Sequence, residues 1–160
     1  MAVEVIYSDQ RLPSFQDENL IFLAGPTPRL KFVASWRPEA LIILEEIGFD
    51  GMVFVPEAEG GGWASTFEEQ VEWEQEALEA CSQFGCIAAW VPRDLETMPA
   101  FTTNVEFGLY VEGGRLLYGR PDGSPKTRYL DWIYKDRTEG EPFSNLRDLL
   151  VASVDMAYDF

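Results

Sequence analysis

Hydrophobic positions in this chain fall in short unbroken runs rather than in strict alternation. Leu20–Ala24 (LIFLA), Met52–Val55 (MVFV) and Cys86–Val91 (CIAAWV) are each closed within two residues by a proline. Runs of that length predict strands buried on both faces of a sheet. Leu116–Tyr118 reads as a fourth strand and Ala2–Tyr7 as an edge strand. Between them the period becomes helical. Pro38 and Glu39 open a helix on which Leu41, Leu44 and Ile47 share a face, and Gly48 fits the left-handed position after its end. After the glycines 60–62, Ser65-x-x-Glu68 has the form of a capping box for a long helix ending near Cys81. Arg93–Phe101 reads as a loop. Thr103–Val111 predicts a short helix stopped by Gly113-Gly114. Lys126–Tyr134 and Ser144–Tyr158, the latter with Ser144 as N-cap, predict two more.

Strands alternating with helices predict one α/β domain over residues 1–160, with a parallel sheet covered on both faces. In such a sheet ligands bind past the carboxyl ends of the strands. Functional residues are therefore expected in 25–29, 56–62, 92–103 and 119–128, and at the helix starts that follow.

Composition narrows the chemistry. The 160 residues hold 12 Lys and Arg against 28 Asp and Glu, a net charge of −16, and no His. That balance argues against a protein that holds long nucleic acid, which needs a basic surface. Without His there is no Ser-His-Asp triad, no imidazole acid–base pair and no His-based zinc site. With 46% hydrophobic and 14% aromatic residues, disorder is excluded as the main state. Two cysteines, Cys81 and Cys86, are too few for a zinc site and read as structural thiols of a reducing, cytoplasmic compartment. No run of about 18 apolar residues is present, and the segment MAVEVIYSDQ lacks a basic region before an apolar stretch. No membrane span or signal peptide is expected.

The loop Gly25-Pro26-Thr27-Pro28-Arg29 matches neither a dinucleotide fingerprint nor a P-loop. Gly25 either makes a tight turn leaving the strand or lets a ligand approach the backbone closely. On the long helix Phe67, Val71, Leu78 and Cys81 form an apolar stripe whose missing member is Glu74. Either Glu74 points into a crevice, or Trp73, Ala77 and Ala80 form the true buried face and leave Glu74 at its edge. Thr103-x-x-Glu106 is an ordinary capping box, or else Glu106 faces the crevice, where a helix N-terminus favours its ionised form. A carboxylate attacking an anomeric carbon, with a second carboxyl to move the proton, is established glycosyl-transfer chemistry. Arg29, Arg37, Arg93, Lys126 and Arg128 lie in or beside the crevice loops, as chance solubilising cations or as a phosphate pocket. Trp36, Trp63, Trp90 and Phe101 are core residues or a stacking face for a base.

Several ordered motifs resemble the nucleoside 2-deoxyribosyltransferase-like proteins, in their small "-like" branch. They are IFLAGPTPR (Ile21–Arg29), SWRPEAL (Ser35–Leu41), VEWEQEAL (Val71–Leu78), AWVPRDLETMPAFTTNVEFG (Ala89–Gly108) and GRPDGSPKTRYLDW (Gly119–Trp132). The resemblance covers about residues 20–148. It implies a flavodoxin-like, three-layer fold with a mainly parallel five-stranded sheet. It also implies a glutamate nucleophile at Glu106 and a sugar- or proton-handling acid at Glu74. Substrate contacts are implied at Phe22, Gly25, Pro26, Thr27, Arg29, Trp63, Arg93, Asp94, Thr102, Thr103 and Asn104, with no metal or cofactor. Family members assemble as dimers or larger oligomers, for which the apolar C-terminal helix and Tyr158-Asp159-Phe160 are candidate contacts here. Phe22 stands where family enzymes often carry Tyr. Ala100 stands where they carry a base-recognising Asp or a phosphate-binding Ser. The segment Ala80–Gly85 is longer than usual.

The implied activity is cleavage or transfer at the N-glycosidic bond of a small-molecule nucleoside or nucleotide. Two other functions stand beside it: a nucleotide-binding sensor that keeps the fold without the catalysis, and a hydrolase of NAD-type cofactors.

Overall fold

The computed structural model describes residues 2–61 and 66–159. Five strands form one sheet: β1 (Val3–Tyr7), β2 (Leu20–Ala24), β3 (Gly51–Val55), β4 (Cys86–Trp90) and β5 (Leu116–Gly119). Their order is β1-β3-β2-β4-β5, and every pairing is parallel, with Val5 opposite Val53, Phe22 opposite Ile87 and Ala88 opposite Leu117. The three apolar runs are the three central strands, and every residue in them is buried.

Side chains of each strand alternate between two cores. Phe22, Phe54, Ile87 and Tyr118 face α2 (Phe67–Phe84), α3 (Phe101–Tyr110) and α4 (Arg128–Thr138). Ile21, Leu23, Val53 and Ala88 face α1 (Arg37–Glu46) and α5 (Leu146–Tyr158). The result is a flavodoxin-like three-layer α/β sandwich. α1 leads from β2 to its neighbour β3. α2 carries the chain from β3 over the opposite face of β2 to β4. The crossovers diverge at β2, so the topological switch lies between the carboxyl ends of β2 and β4.

Gly25 ends β2 at that switch. A Cβ there would sit 2.3 Å from the Trp90 carbonyl oxygen and 2.6 Å from the Trp36 ring, so only glycine lets the two strand ends and the indole meet. Gly48, at φ +79°, takes the left-handed position after α1 expected of it.

Helix boundaries depart from the expected ones for local reasons. Ser65 lies outside the described residues. The observed cap of α2 is Thr66, whose hydroxyl accepts from Glu69 N at 3.3 Å, and the helix runs on to Phe84. Phe67 and Val71 are exposed, and the buried face is Gln70, Trp73, Ala77, Leu78, Ala80 and Cys81. The stripe through Phe67 and Val71 is thus wrong, and Glu74 borders the Trp73–Ala77 face. α3 starts at Phe101, after Pro99 and a left-handed Ala100. Thr103 is therefore inside the helix, and the expected capping box with Glu106 does not form. α4 starts at Arg128 because Lys126 is left-handed at φ 58°. α5 is capped by Asn145 rather than Ser144, its side chain accepting from Asp148 N at 3.1 Å. The apolar face of α5 is buried within its own chain, and Tyr158 stacks on Phe49. Both cysteines are free and buried. Among the described residues no helix is long and apolar enough to cross a membrane.

Candidate active site

Arg37 organises the carboxyl edge of the sheet. It is the first residue of α1, ahead of Pro38, and only 1% of it is exposed. Its Nε donates to Leu23 O at 3.1 Å and its guanidinium nitrogens to Gly25 O at 2.7 Å and Thr27 Oγ1 at 2.9 Å. The same group pairs with Glu57 Oε2 at 2.6 Å, and Ser35 Oγ donates to that oxygen at 2.7 Å. Arg37 is thus neither a solubilising nor a free phosphate-binding loop cation but the buried fastener of the β2 and β3 ends.

Two carboxyls share this neighbourhood. Glu106 is buried at the sixth position of α3, past the first turn where unpaired backbone N–H groups favour an anion. Burial pushes its carboxyl up to about 8, the Glu74 charge adds to the rise, and Arg37 opposes it. Glu74 is half-buried, and burial raises it to about 7 against the pull of Arg37 and a hydrogen bond with Gln70. The expected helix-end stabilisation of an ionised Glu106 is thus overturned by burial. What stands there is a coupled pair of acids that titrates near neutrality, which is how proton-transfer sites are commonly built.

The pair has a consequence for stability. A glutamate in the unfolded chain titrates near 4.5, so folding takes up protons between there and about 8. The contribution of these groups is greatest below the unfolded value and is lost as pH rises through the folded ones, at up to about 1.4 kcal/mol per pH unit for each. No imidazole competes in that window. Urea unfolding from pH 5 to 8.5 is expected to show stability falling with pH, and Glu106→Gln to flatten the slope. Parallel slopes in the two proteins would mean that Glu106 titrates as it does in the unfolded chain.

The remaining expected contacts divide. Phe22 is fully buried in β2 and packs on Trp73, with ring centroids 6.3 Å apart. Pro26 O accepts from Trp36 Nε1 at 3.1 Å, which fixes the indole at the switch. Arg29 is exposed, and its backbone N–H donates to Thr97 O at 3.1 Å, tying the loops after β2 and β4 together. Asp94 is committed to its own loop: Oδ1 accepts from Glu96 N and Thr97 N, and the Thr97 bond holds its carboxyl below the usual range. Thr102 is exposed on α3 and Thr103 is buried. Trp63 lies outside the described residues. Trp36 and Trp90 are buried, and Phe101 is 66% exposed.

Arg93 is 7% exposed. Its guanidinium donates to Asn104 Oδ1 at 2.5 Å and Lys126 O at 3.1 Å, both neutral acceptors, and its Nε has no hydrogen-bond partner. Burial lowers its pKa, as expected of a buried cation with no carboxylate against it. Ser124 holds this loop by accepting from Arg93 N and donating to Val91 O.

Three residues of the site escaped the sequence reading. Glu57 directly follows the proline that stops β3, a carboxyl-end position that was itself a signal. Gln70, buried and donating to Pro56 O at 3.2 Å, and Ser124 gave none. A cavity of about 780 Å³ lies beyond Arg37, lined by Tyr7, Arg29, Val33, Ser35, Leu41 and Gly61 among others. Neither Glu74 nor Glu106 lines it.

The sequence matches no model of a known protein family, and no curated protein matches it.

Proposed function

We propose that this protein is an enzyme that cleaves or transfers the N-glycosidic bond of a nucleoside or nucleotide. The observation that carries the reading is the coupled pair Glu74 and Glu106, raised to about 7 and 8 beside a buried arginine. The motif resemblance puts the same two residues forward independently of their titration. Ionised Glu106 attacks C1′ of the sugar. The C1′–N bond breaks as the C1′–O bond to Glu106 forms, and protonated Glu74 gives its proton to the departing base. Water or a second base then attacks C1′, Glu74 takes up its proton, and Glu106 is released. No metal or cofactor enters these steps. The free buried thiols fit a reducing compartment, so the reading sets the enzyme in the cytoplasm.

Arg93 favours a phosphorylated substrate. A buried cation with only neutral partners is costly until an anion meets it, and the chain has few other cations to spend. Nucleosides, nucleoside monophosphates and NAD are each to be incubated with the protein and assayed for free base. Release from monophosphates ahead of nucleosides is the expected result. A ligand-induced rise in melting temperature without any product would instead favour the sensor reading, to which Phe22 and Ala100 point.

A further inference from the structure

We propose that the cavity beyond Arg37 is a second binding site, separate from the acid pair, and that it takes an aliphatic anion bearing a hydroxyl at its far end. The inference does not depend on the catalytic reading, since neither Glu74 nor Glu106 lines the cavity.

The walls set the body of the ligand. At about 780 Å³ the cavity has the size of a small-molecule site. The loop after β2, the start of α1 and the segment after β3 all contribute to it. The loop is tied down by two backbone bonds of 3.1 Å, from Arg29 N to Thr97 O and from Val33 N to Leu30 O. Leu30, Val33, Pro38, Leu41 and Val55 supply aliphatic surface. Among the described lining residues there is no Asn or Gln to read the edge of a base, and the one aromatic ring is Tyr7. A nucleobase finds few partners there, whereas an aliphatic body is matched.

The free polar groups are few, and they limit the ligand further. Arg37 is spent on Leu23, Gly25, Thr27 and Glu57, and Ser35 Oγ lies between Arg37 N and Glu57. Glu57 is different. It is 5% exposed, and both hydrogen bonds to its carboxylate end on Oε2. Oε1 receives none from the described residues. A buried carboxylate oxygen left bare is costly until a donor reaches it. Tyr7 lines the same cavity, and its hydroxyl bonds to no described residue. Burial and the charges of Glu59, Glu57 and Asp9 raise its pKa, so it stays a donor. One donor and one acceptor fit a hydroxyl, which accepts from Tyr7 and donates to Glu57. They cannot satisfy the several hydroxyls of a free sugar.

Charge orients the ligand. From residue 25 to residue 38 the chain carries three of its cations and none of its acids. Arg37 is taken by Glu57. Arg29 and Lys31 are exposed, line the cavity and pair with no described acid. Asp9 and Glu59 act on Tyr7 instead. An anion is therefore drawn to the Arg29–Lys31 side and repelled from the Tyr7 side, which leaves the hydroxyl for Glu57.

Isothermal titration calorimetry of the full chain with 8-hydroxyoctanoate tests this. Saturable binding is expected, with octanoate and 1,8-octanediol at least about tenfold weaker. Arg29→Ala/Lys31→Ala, at two exposed side chains, should bring 8-hydroxyoctanoate down to the level of the diol and remove the salt dependence of binding. Leu41→Trp, which fills the cavity from its half-buried wall, should lose all three ligands with an unchanged circular dichroism spectrum. Should Leu41→Trp not fold, the two exposed substitutions decide alone. No binding at millimolar concentration, or binding that a folded variant of either kind leaves unchanged, would overturn the proposal. So would ribose 5-phosphate or adenosine monophosphate binding more tightly than 8-hydroxyoctanoate and being lost in the same variants, which would make the cavity a sugar-phosphate or nucleotide site.

Discussion

Glu106→Gln is expected to release no free base from any nucleoside or nucleotide that the wild type cleaves, a loss of at least about a thousandfold, while folding as stably as wild type or more so. The substitution keeps the shape of the side chain and removes only the oxygen that bonds to C1′. It also removes a carboxyl whose ionisation the fold resists, since burial and the Glu74 charge both raise it. Loss of activity with gain of stability at alkaline pH is a signature that a merely structural glutamate would not give. Turnover within tenfold of wild type would sink the mechanism.

The companion substitution separates the two roles. Glu74→Gln removes the proton donor and should cost about 10²–10⁴-fold on substrates with poor leaving bases. It also removes a charge that raises Glu106, so the ascending limb of the pH profile should move to lower pH. In wild type the nucleophile must be ionised and the donor protonated, which gives a bell-shaped profile bounded by the titrations of the pair, near 7 and 8. Burial raises both carboxyls, and the Glu74 charge raises Glu106 further. A cationic oxocarbenium-like sugar against Glu106 favours its carboxylate as positive charge develops.

The sheet was legible because its strands are buried on both faces, which leaves continuous apolar runs with prolines at their ends. LIFLA begins and ends where β2 does. Helix starts were harder, because serines and threonines offered competing caps one or two residues apart. Thr66 and Asn145 cap their helices from extended backbone conformations that aim the side-chain oxygen at the backbone N–H three residues on. Ala100 and Lys126 set helix starts through left-handed backbone, which neither residue type announces. Glu74 and Glu106 were visible as residues whose position and type disagreed with a simple core or cap. Their protonation was not visible, because burial of a single side chain depends on neighbours from α1, α2 and α3 together. Arg37 was misread for the same reason. In sequence it is one of several arginines near a loop. In the fold it is surrounded by acceptors from residues 23, 25, 27 and 57, which only the sheet order brings together.

That placement makes Arg37→Met the substitution with the largest expected effect on folding. Breaking a buried ion pair from one side typically costs 3–5 kcal/mol, since the remaining charge is left without compensation. Here the stranded partner is Glu57, whose side chain is 6% exposed, and the Leu23 and Gly25 carbonyls lose their donor as well. A loss of about 4 kcal/mol would take much of the stability of an ordinary domain, and urea unfolding should show it as a lower midpoint. Arg37→Lys should fall between, because one ammonium cannot hold acceptors on two strand ends and a carboxylate in the fixed geometry of a guanidinium. The double variant Arg37→Met/Glu57→Gln should recover part of the loss by removing the stranded charge, but not the part owed to the carbonyls. If Arg37→Met unfolds within 1 kcal/mol of wild type, water reaches this ion pair and Arg37 is no fastener. Where enough folded Arg37→Met protein can be held, its activity profile should shift to higher pH, since the positive charge that eases ionisation of both Glu74 and Glu106 is gone. Fold and chemistry thus meet in one guanidinium, which ties the strand ends together and keeps the two acids of the switch within reach of neutral pH.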